Sequence, residues 1–293
     1  MNSLMTGGPG FIGSALTAKW LNSGHQITIL SRQSLSDKPG VNYVSSLSSI
    51  NEQESFDVAV NLAGYSLFQR PWFPSVKRTI VSSRIETTKS LCRLNRRLKK
   101  PFGVLISGSA VGYYGNRNHH WITEQDDNAL TFSAQVCKQW EHEALQAEQQ
   151  GTRVCLIRTG IVLGDGAALK SMKTAARFGL LNIIGSGEQY WPWIDLDDVL
   201  QAIDFLVKHP QLTGAFNICS PNPVTNREFT EALAKVLNKK IRLPAMPGFV
   251  LKAMTLGSGE LLLDSQRVAP SQLLGAGFEF KYEDLQDSLA KYC

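Results

Sequence analysis

A glycine-rich segment near the amino terminus has the residue types and spacing of an anion-binding turn. Residues 6–13 read T-G-G-P-G-F-I-G and follow the apolar pair Leu4 and Met5. Gly7 permits a tight turn, Gly10 lets the backbone approach phosphate, and Gly13 lets the next helix pack closely on the strand. Backbone amides at the helix start then point at the anion. The motif predicts a turn that binds the pyrophosphate of a dinucleotide through Gly7, Gly10, Phe11, Ile12 and Gly13.

A hydroxyl and a cation follow the second predicted strand, where the adenosine end of a dinucleotide would lie. This strand ends in Leu30, Ser31 and Arg32. An NAD site usually offers Asp or Glu here to the ribose hydroxyls, and this chain has neither. A guanidinium forms charge-assisted hydrogen bonds with phosphate oxygens. Ser31 and Arg32 therefore favour NADP over NAD, and the alternative is that Arg32 is a solvated loop cation.

Small residues close the fourth predicted strand. Asn61 is followed by Leu62, Ala63 and Gly64. A backbone with such small side chains can lie flat against the adenine and ribose of a dinucleotide. A strand that ends in Ala-Gly is common, so this interpretation depends on the glycine motif.

Strands and helices alternate along the chain, as a parallel sheet wound on both faces requires. Strands are predicted at the first apolar run, Ile27–Leu30, Asn42–Val44, Asp57–Leu62, Gly103–Ser107, Val154–Arg158 and Phe216–Cys219. Helices are predicted at Phe11–Asn22, Ser75–Leu98, Ser133–Gln150 and Asp195–Val207, and a loop region is predicted between Gly164 and Gly187.

This order of elements predicts an α/β fold, with a doubly wound parallel Rossmann sheet and a smaller C-terminal substrate lobe over its carboxyl edge. The dinucleotide-binding domain is expected to span residues 1–165 and to be rejoined by about 195–220. Residues 166–293 are expected to form mainly the substrate lobe, with 243–293 as its C-terminal segment.

The composition is that of an ordinary soluble protein. The 293 residues are 43% hydrophobic and 19% charged, with a net charge of +5 that by itself does not indicate a nucleic-acid partner. No apolar run approaches the roughly 20 residues that cross a bilayer, and no leader pattern precedes the first strand, so we expect a cytoplasmic protein. Five widely spaced cysteines without C-x-x-C indicate free thiols and no metal site.

Motifs along nearly the whole chain resemble those of one enzyme superfamily. T-G-G-P-G-F-I-G, N-L-A-G and S-G-S-A-V-G-Y-Y-G resemble the extended short-chain dehydrogenase/reductases. Five further stretches resemble one atypical branch of this superfamily. They are S-S-R-I-E-T-T at 82–88, R-T-G-I-V-L-G at 158–164, W-P-W-I-D-L-D-D at 191–198, P-N-P-V-T-N at 221–226 and the closing segment 243–292. This branch is NAD-dependent epimerase/dehydratase-like and has the characteristic C-terminal domain of sugar-nucleotide epimerase-like proteins.

The resemblance implies further site residues. It implies that Ser109 is a catalytic residue that binds a substrate carbonyl or hydroxyl, and that Arg84 and Ile161 contact the cofactor. The alternative for Arg84 is a solvated or salt-bridged cation. The superfamily also implies Tyr and Lys one helical turn apart, which exchange a proton as hydride moves. None of the seven tyrosines has Lys four positions later. Alignment instead puts Ser133 at the Tyr position and Cys137 at the Lys position.

Other positions keep alternatives open. Tyr113 and Tyr114 could supply a phenol to the site, or they could pack beneath a loop. Asp195 stands where the branch usually has His. A pocket in the second lobe could be lined by Gln189, Trp191, Trp193, Gln266 and Arg267.

Two functions are compatible with these features. The first is an NADP-binding oxidoreductase or epimerase that acts on a polar substrate such as a sugar nucleotide. The second is an NADP-binding sensor or interaction protein without hydride chemistry, because the Tyr-x-x-x-Lys pair is missing. The sequence predicts neither the substrate nor the oligomeric state.

Overall fold

A seven-stranded parallel sheet forms the centre of the fold. The computed structural model describes residues 1–33, 35–67 and 69–293, apart from the side chains of residues 252–254. The strands are β1 (Asn2–Thr6), β2 (Gln26–Leu30), β3 (Val41–Val44), β4 (Val58–Asn61), β5 (Val104–Ala110), β6 (Trp121–Ile122), β7 (Arg153–Thr159), β8 (Ile161–Leu163), β9 (Tyr190–Trp191), β10 (Trp193–Asp195), β11 (Gly214–Ile218), β12 (Val224–Thr225) and β13 (Arg267–Val268). The helices are α1 (Phe11–Asn22), α2 (Pro74–Arg97), α3 (Phe132–Leu145), α4 (Ala167–Arg177), α5 (Leu196–Lys208), α6 (Asn226–Val236), α7 (Gly248–Thr255), α8 (Glu260–Leu263), α9 (Ser271–Gly275) and α10 (Leu285–Tyr292).

The strand order of the main sheet is β11-β7-β5-β4-β1-β2-β3, and every neighbouring pair is parallel. The chain runs outward from β1 to β3 and then returns to place β4 on the other side of β1. Open parallel sheets bind ligands at the carboxyl ends of the strands where the order reverses. The predicted α/β fold is confirmed, and its switch point lies between β1 and β4.

Helices cover both faces of this sheet. On one face α1 and α5 contribute Leu16 and Ile203 to a buried cluster with the strands. On the other face α2 and α3 contribute Leu91 and Ala144 to a second cluster. Strands covered on both faces are apolar on both sides, which is why runs such as the one in β1 show no alternation.

Another cluster of buried side chains lies beyond the sheet. It joins β9 and β10 to α4, α6 and α10, with Trp191, Phe229 and Leu289 among its members. Phe278 and Phe280, although close to the carboxyl terminus, pack in the cluster of the main sheet. The division into a cofactor domain at 1–165 and a substrate lobe at 166–293 stays a prediction.

Three local differences separate the structure from the sequence-based expectations. Helix α4 lies inside the region predicted as a loop. The sequence did not indicate it, because the helix buries only Leu169 and Ala176 and so shows a sparse apolar repeat. The helix predicted to reach Gln150 is α3, which ends at Leu145 and continues as a 3₁₀ turn. The helix expected from Asp195 begins one residue later, since the Asp195 carboxylate caps α5 by accepting a hydrogen bond from the Asp197 amide.

None of the helices in the described part of the chain combines the length and the apolar content that a membrane span requires.

Candidate functional site

A cavity of about 590 Å³, here called the main cavity, opens at the carboxyl ends of β1, β4 and β5. The C-terminal part of the chain contributes its far wall, through residues such as Trp191 and Glu260. The structure brings most of the predicted site residues together in this lining: Gly7, Gly10, Phe11, Ile12, Gly13, Leu62, Gly64, Arg84, Ser109 and Ile161.

Steric contacts explain two of the glycines. Gly7 has φ +75°, and a Cβ there would lie 2.5 Å from the carbonyl carbon of Leu62. A Cβ on Gly13 would lie 2.2 Å from the carbonyl oxygen of Gly7. Gly10 is the N-cap of α1, and the first amides of a helix have no intrahelical acceptor. The turn therefore presents unpaired backbone donors at the edge of the main cavity.

Three predicted cofactor residues lie outside this lining. The Ala63 backbone lies next to Gly7, since a Cβ on Gly7 would be 2.7 Å from the Ala63 nitrogen. Ser31 is buried, and its hydroxyl donates to the Gln33 carbonyl oxygen at 3.0 Å. Arg32 is exposed, and it has no hydrogen bond or ion pair with the described residues. Its guanidinium is thus available to a ligand at the end of β2.

Arg84 lies on α2 and faces the main cavity. Its Nη1 donates to the carbonyl oxygens of Tyr65 and Ile80, each at 3.1 Å. The guanidinium lies 5.3 Å from the centre of the Trp140 ring and packs against Gly64. Burial lowers the Arg84 pKa, and the neighbouring Cys137 opposes that shift. Arg84 is held by two carbonyls and an aromatic ring, and no carboxylate in the described residues pairs with it.

Ser109 belongs to a buried charged network. Its Oγ donates to Glu141 Oε1 at 2.6 Å. Arg158 binds the same carboxylate with two hydrogen bonds of 2.8 Å, from Nε to Oε1 and from Nη2 to Oε2. Burial alone would lower the Arg158 pKa, but the hydrogen bonds and charge of Glu141 outweigh it and raise that pKa. The single Ser109 hydroxyl hydrogen is therefore directed at Glu141. The Ser109 oxygen also contacts the Cys137 side chain and keeps acceptor capacity for a ligand.

Tyr113 and Tyr114 pack around this network. Arg158 lies 3.6 Å from the ring centre of Tyr113. The Tyr114 hydroxyl accepts from Arg158 at 2.9 Å and donates to Asn217 at 2.6 Å, and burial raises its pKa. Neither tyrosine lines the main cavity. These positions agree with the alternative that the two tyrosines pack in the protein and do not supply a phenol to the site.

Ser133 and Cys137, at the positions of the missing Tyr and Lys, both line the main cavity. The Ser133 hydroxyl lies 3.2 Å from the Thr131 hydroxyl. Burial, followed by the nearby Glu141 charge, raises the Cys137 pKa to about 11. The thiol is thus neutral at pH 7 and has neither the charge of Lys nor the acidity of an activated Tyr.

Asp195 holds the carboxyl-terminal helix in place. Its buried carboxylate accepts hydrogen bonds from Ser288 at 2.6 Å, from Lys291 at 3.0 Å and from Tyr292 at 3.2 Å. It does not line the main cavity. Asp195, which stands where the resembled branch usually has His, therefore holds α10 in place in this protein.

The pocket expected in the second lobe is only partly formed. Trp191 and Gln266 line the main cavity. Gln189 instead donates to the Ile184 and Leu262 carbonyls, and Trp193 donates to the Asn222 carbonyl. Arg267 lies over the rings of Trp121 and Tyr190.

A family model described as the NAD dependent epimerase/dehydratase family matches residues 3–219. The chain belongs to this family. A second model, a domain of unknown function (DUF1731), matches residues 246–292 and confirms the expected C-terminal domain.

Relatives of this epimerase-family protein match it from end to end. The epimerase family protein YfhF of Bacillus subtilis is 36% identical over 301 residues, which cover 99% of this chain and 97% of YfhF. The crystal structure of the human epimerase family protein SDR39U1 with NADPH is 29% identical, with a TM-score of 0.91 over 99% of this chain and 98% of the human chain. A nucleoside-diphosphate sugar epimerase from Corynebacterium glutamicum is 32% identical, with a TM-score of 0.80 over 99% of this chain and 57% of its own.

Sequence reasoning missed several residues around the site of this epimerase-family protein. Arg158 was noted only as part of a motif, and Glu141 was assigned no role, although a charged residue within an apolar strand or helix face needs a buried partner and so indicates a network. Trp140 and Glu260 also line the main cavity. The sequence carries no signal for Glu260, because only the tertiary fold brings α8 to the start of α3.

Proposed function

We propose that this protein is an NADP-dependent oxidoreductase or epimerase that binds its cofactor across the carboxyl ends of β1 and β4. The glycine turn carries the proposal, since Gly7 and Gly13 leave no room for a Cβ and the start of α1 opens on the main cavity. A pyrophosphate is the anion that such a turn accepts in this fold. When bound, the nicotinamide would supply or accept a hydride near Ser109.

NADP is preferred over NAD in this proposal. Arg32 is an exposed guanidinium that has no partner among the described residues, and no carboxylate stands beside it directly after β2. A second cavity of about 430 Å³, lined in part by Leu30, Ser46 and Arg93, opens beside the end of the same strand and offers room for an adenosine. The human relative was crystallised with NADPH, which supports the same choice.

Ser109 is proposed to bind the hydroxyl form of the substrate. Its hydrogen is donated to Glu141, so its oxygen can accept a hydrogen bond from an alcohol, whereas a carbonyl would need a donor. Ser133 and Cys137 stand on the same wall as neutral groups. The proton that accompanies hydride transfer must pass through these groups, through Ser109 or through solvent.

A second candidate is an NADP-binding sensor without hydride chemistry. The observation that favours it is the pair Ser133 and Cys137, which replaces the Tyr and Lys of the superfamily. The Cys137 pKa of about 11 leaves no base of the usual strength at this position.

One experiment separates the two candidates. The protein is first titrated with NADPH and NADH by calorimetry, and then incubated with stereospecifically deuterated NADPH and a panel of carbonyl compounds and sugar nucleotides. We expect saturable NADPH binding and deuterium in a reduced product. Tight binding without transfer to any compound would favour the sensor, and absence of binding to either cofactor would contradict both candidates.

A further inference from the structure

We infer that the substrate of the main cavity is phosphate-free and has a largely apolar body, which makes it a different class from the nucleoside diphosphate sugars. This inference rests on the proposed function, because it concerns the part of the same cavity that lies beyond the cofactor. It departs from the sequence-based expectation of a polar substrate such as a sugar nucleotide.

The wall beyond the glycine turn is mainly apolar and aromatic. It is contributed by the 3₁₀ turn after β5, by α3 and by the C-terminal part of the chain: Val111, Phe132, Val136, Trp140, Trp191 and Leu261. Sites lined in this way bind apolar bodies and use a few polar groups for orientation. Ser109 and Ser133 are such groups on this wall.

The charges of the lining do not suit a diphosphate. Arg84 is the one cation among the described residues of this lining, and it packs against Gly64 at the cofactor end. The far wall carries the carboxylate of Glu260. Glu260 accepts a hydrogen bond from the Ser133 amide at 3.1 Å, which orients the carboxylate without cancelling its charge. A phosphate placed there would meet a like charge in a partly desolvated space.

Nearby cations outside the lining lie against aromatic rings. Arg267 lies 4.1 Å from the centre of the Trp121 ring, and Lys77 lies 4.8 Å from the centre of the Phe132 ring. Arg158 is buried behind Ser109 and spends its hydrogen bonds on Glu141 and its neighbours. Within the described part of the lining, Arg84 is therefore the one cation that a diphosphate could meet, and a desolvated diphosphate needs more than one such partner.

The test compares three probes on the protein saturated with NADP⁺: 2-naphthalenemethanol as a neutral apolar alcohol, UDP and UDP-glucose. Binding is measured by calorimetry. We expect the alcohol to bind saturably and both uridine nucleotides to show no saturation up to about 1 mM. UDP-glucose that binds more tightly than the alcohol overturns the inference, and so does an alcohol that does not bind.

Two variants test the charge argument directly. Glu260→Lys should make UDP-glucose binding saturable, with a Kd of about 0.1 mM or lower, which is at least about tenfold below the wild-type limit. The matched variant Glu260→Gln, which removes the charge without reversing it, should have a smaller effect. Absence of saturation in the wild type and in both variants would contradict the role of this charge. NADPH titration of each sample distinguishes failure of the proposed function from failure of the substrate inference. Loss of cofactor binding would contradict the proposed function, whereas UDP-glucose binding with intact cofactor binding would contradict only the inferred substrate class.

Discussion

Glu141 and Arg158 form a charged pair that is almost inaccessible to water, with side chains 7% and 6% exposed. Both hydrogen bonds of the pair are 2.8 Å long, and Ser109 and Tyr114 bind its remaining polar atoms. Such a pair contributes little net stability over apolar residues, but removal of one partner leaves the other charge buried and unpaired. The network therefore fixes Ser109 relative to β7, and its integrity depends on both charges.

Glu141→Ala should destabilise the protein by about 3–5 kcal/mol, because Arg158 would keep its charge without a carboxylate. Urea unfolding followed by tryptophan fluorescence measures this loss. Glu143→Ala is a matched control on the same helix, since among the described residues the Glu143 carboxylate makes a single ion pair, at 4.0 Å with Lys89. That change should cost about 0.2–1 kcal/mol. Equal losses of unfolding free energy in the two variants would show that the buried network contributes no more to stability than a surface ion pair.

Arg32→Ala should weaken NADPH binding by about 1.5–3 kcal/mol, which is roughly 10- to 150-fold in Kd, and should leave NADH binding almost unchanged. The reason is that only NADPH carries the 2′-phosphate that the guanidinium can bind. Calorimetric titration with both cofactors measures the difference. Arg96→Ala, on the exposed end of α2, serves as the control for lost surface charge. A similar loss for NADPH and NADH would remove the argument for NADP.

Polar side chains of helix α10 bind the start of α5. Asp195 accepts from three side chains of α10, and Asp197 adds an ion pair of 2.8 Å with Lys291. Burial would raise the Asp197 pKa, but hydrogen bonds from Lys291 and Lys281 outweigh it and lower that pKa. The apolar side of α10 packs through Leu285 and Leu289 on the cluster that contains Trp191.

Asp195→Asn should loosen α10 while leaving NADPH affinity unchanged, because Asp195 does not line the main cavity. The loss of the charge weakens the bonds to Ser288 and Lys291 by about 1–3 kcal/mol, so amides of residues 285–292 should exchange with deuterium roughly tenfold faster or more. Hydrogen exchange with mass spectrometry measures this rate. Asp287→Asn, an exposed change on the same helix, should leave it unchanged. Slow exchange in both variants would mean that apolar packing alone holds the helix.

The main cavity combines the amino-terminal glycine turn with walls from β5, α3 and the C-terminal part of the chain. A ligand that spans these parts binds only the folded protein and should stabilise it as a whole.

NADPH at about 100 times its Kd should stabilise the fold by about 2.7 kcal/mol and raise the Tm by several degrees. Gly13→Ala should abolish most of this rise, since its Cβ would lie 2.2 Å from the Gly7 carbonyl oxygen and displace the turn. Scanning fluorimetry with and without NADPH measures both effects. Gly275→Ala is the control, because a Cβ there meets no atom within 4 Å. A full NADPH shift in Gly13→Ala would place the cofactor away from the turn.

Local sequence patterns were sufficient for the main sheet and its helices. The apolar runs of β1, β2, β4 and β5 and the long amphipathic α2 can be read directly, because each element buries a continuous or periodic apolar face. Helix α4 could not be read in this way, since only two of its residues are buried. The glycine turn was predictable because its chemistry is local in the chain, with all its donors within a few residues.

By itself the sequence determined the α/β class, the position of the anion-binding turn and the absence of a Tyr-x-x-x-Lys pair. Only the tertiary structure decided which partners the polar residues have. It directs Ser109 to Glu141, places Asp195 under α10 and brings Glu260 to the start of α3, contacts that join residues 32, 93 and 127 positions apart. The physical reason is that backbone conformation and apolar periodicity are encoded over a few neighbouring residues, whereas hydrogen-bond partners and the charge of a cavity depend on segments that meet only when the chain has folded.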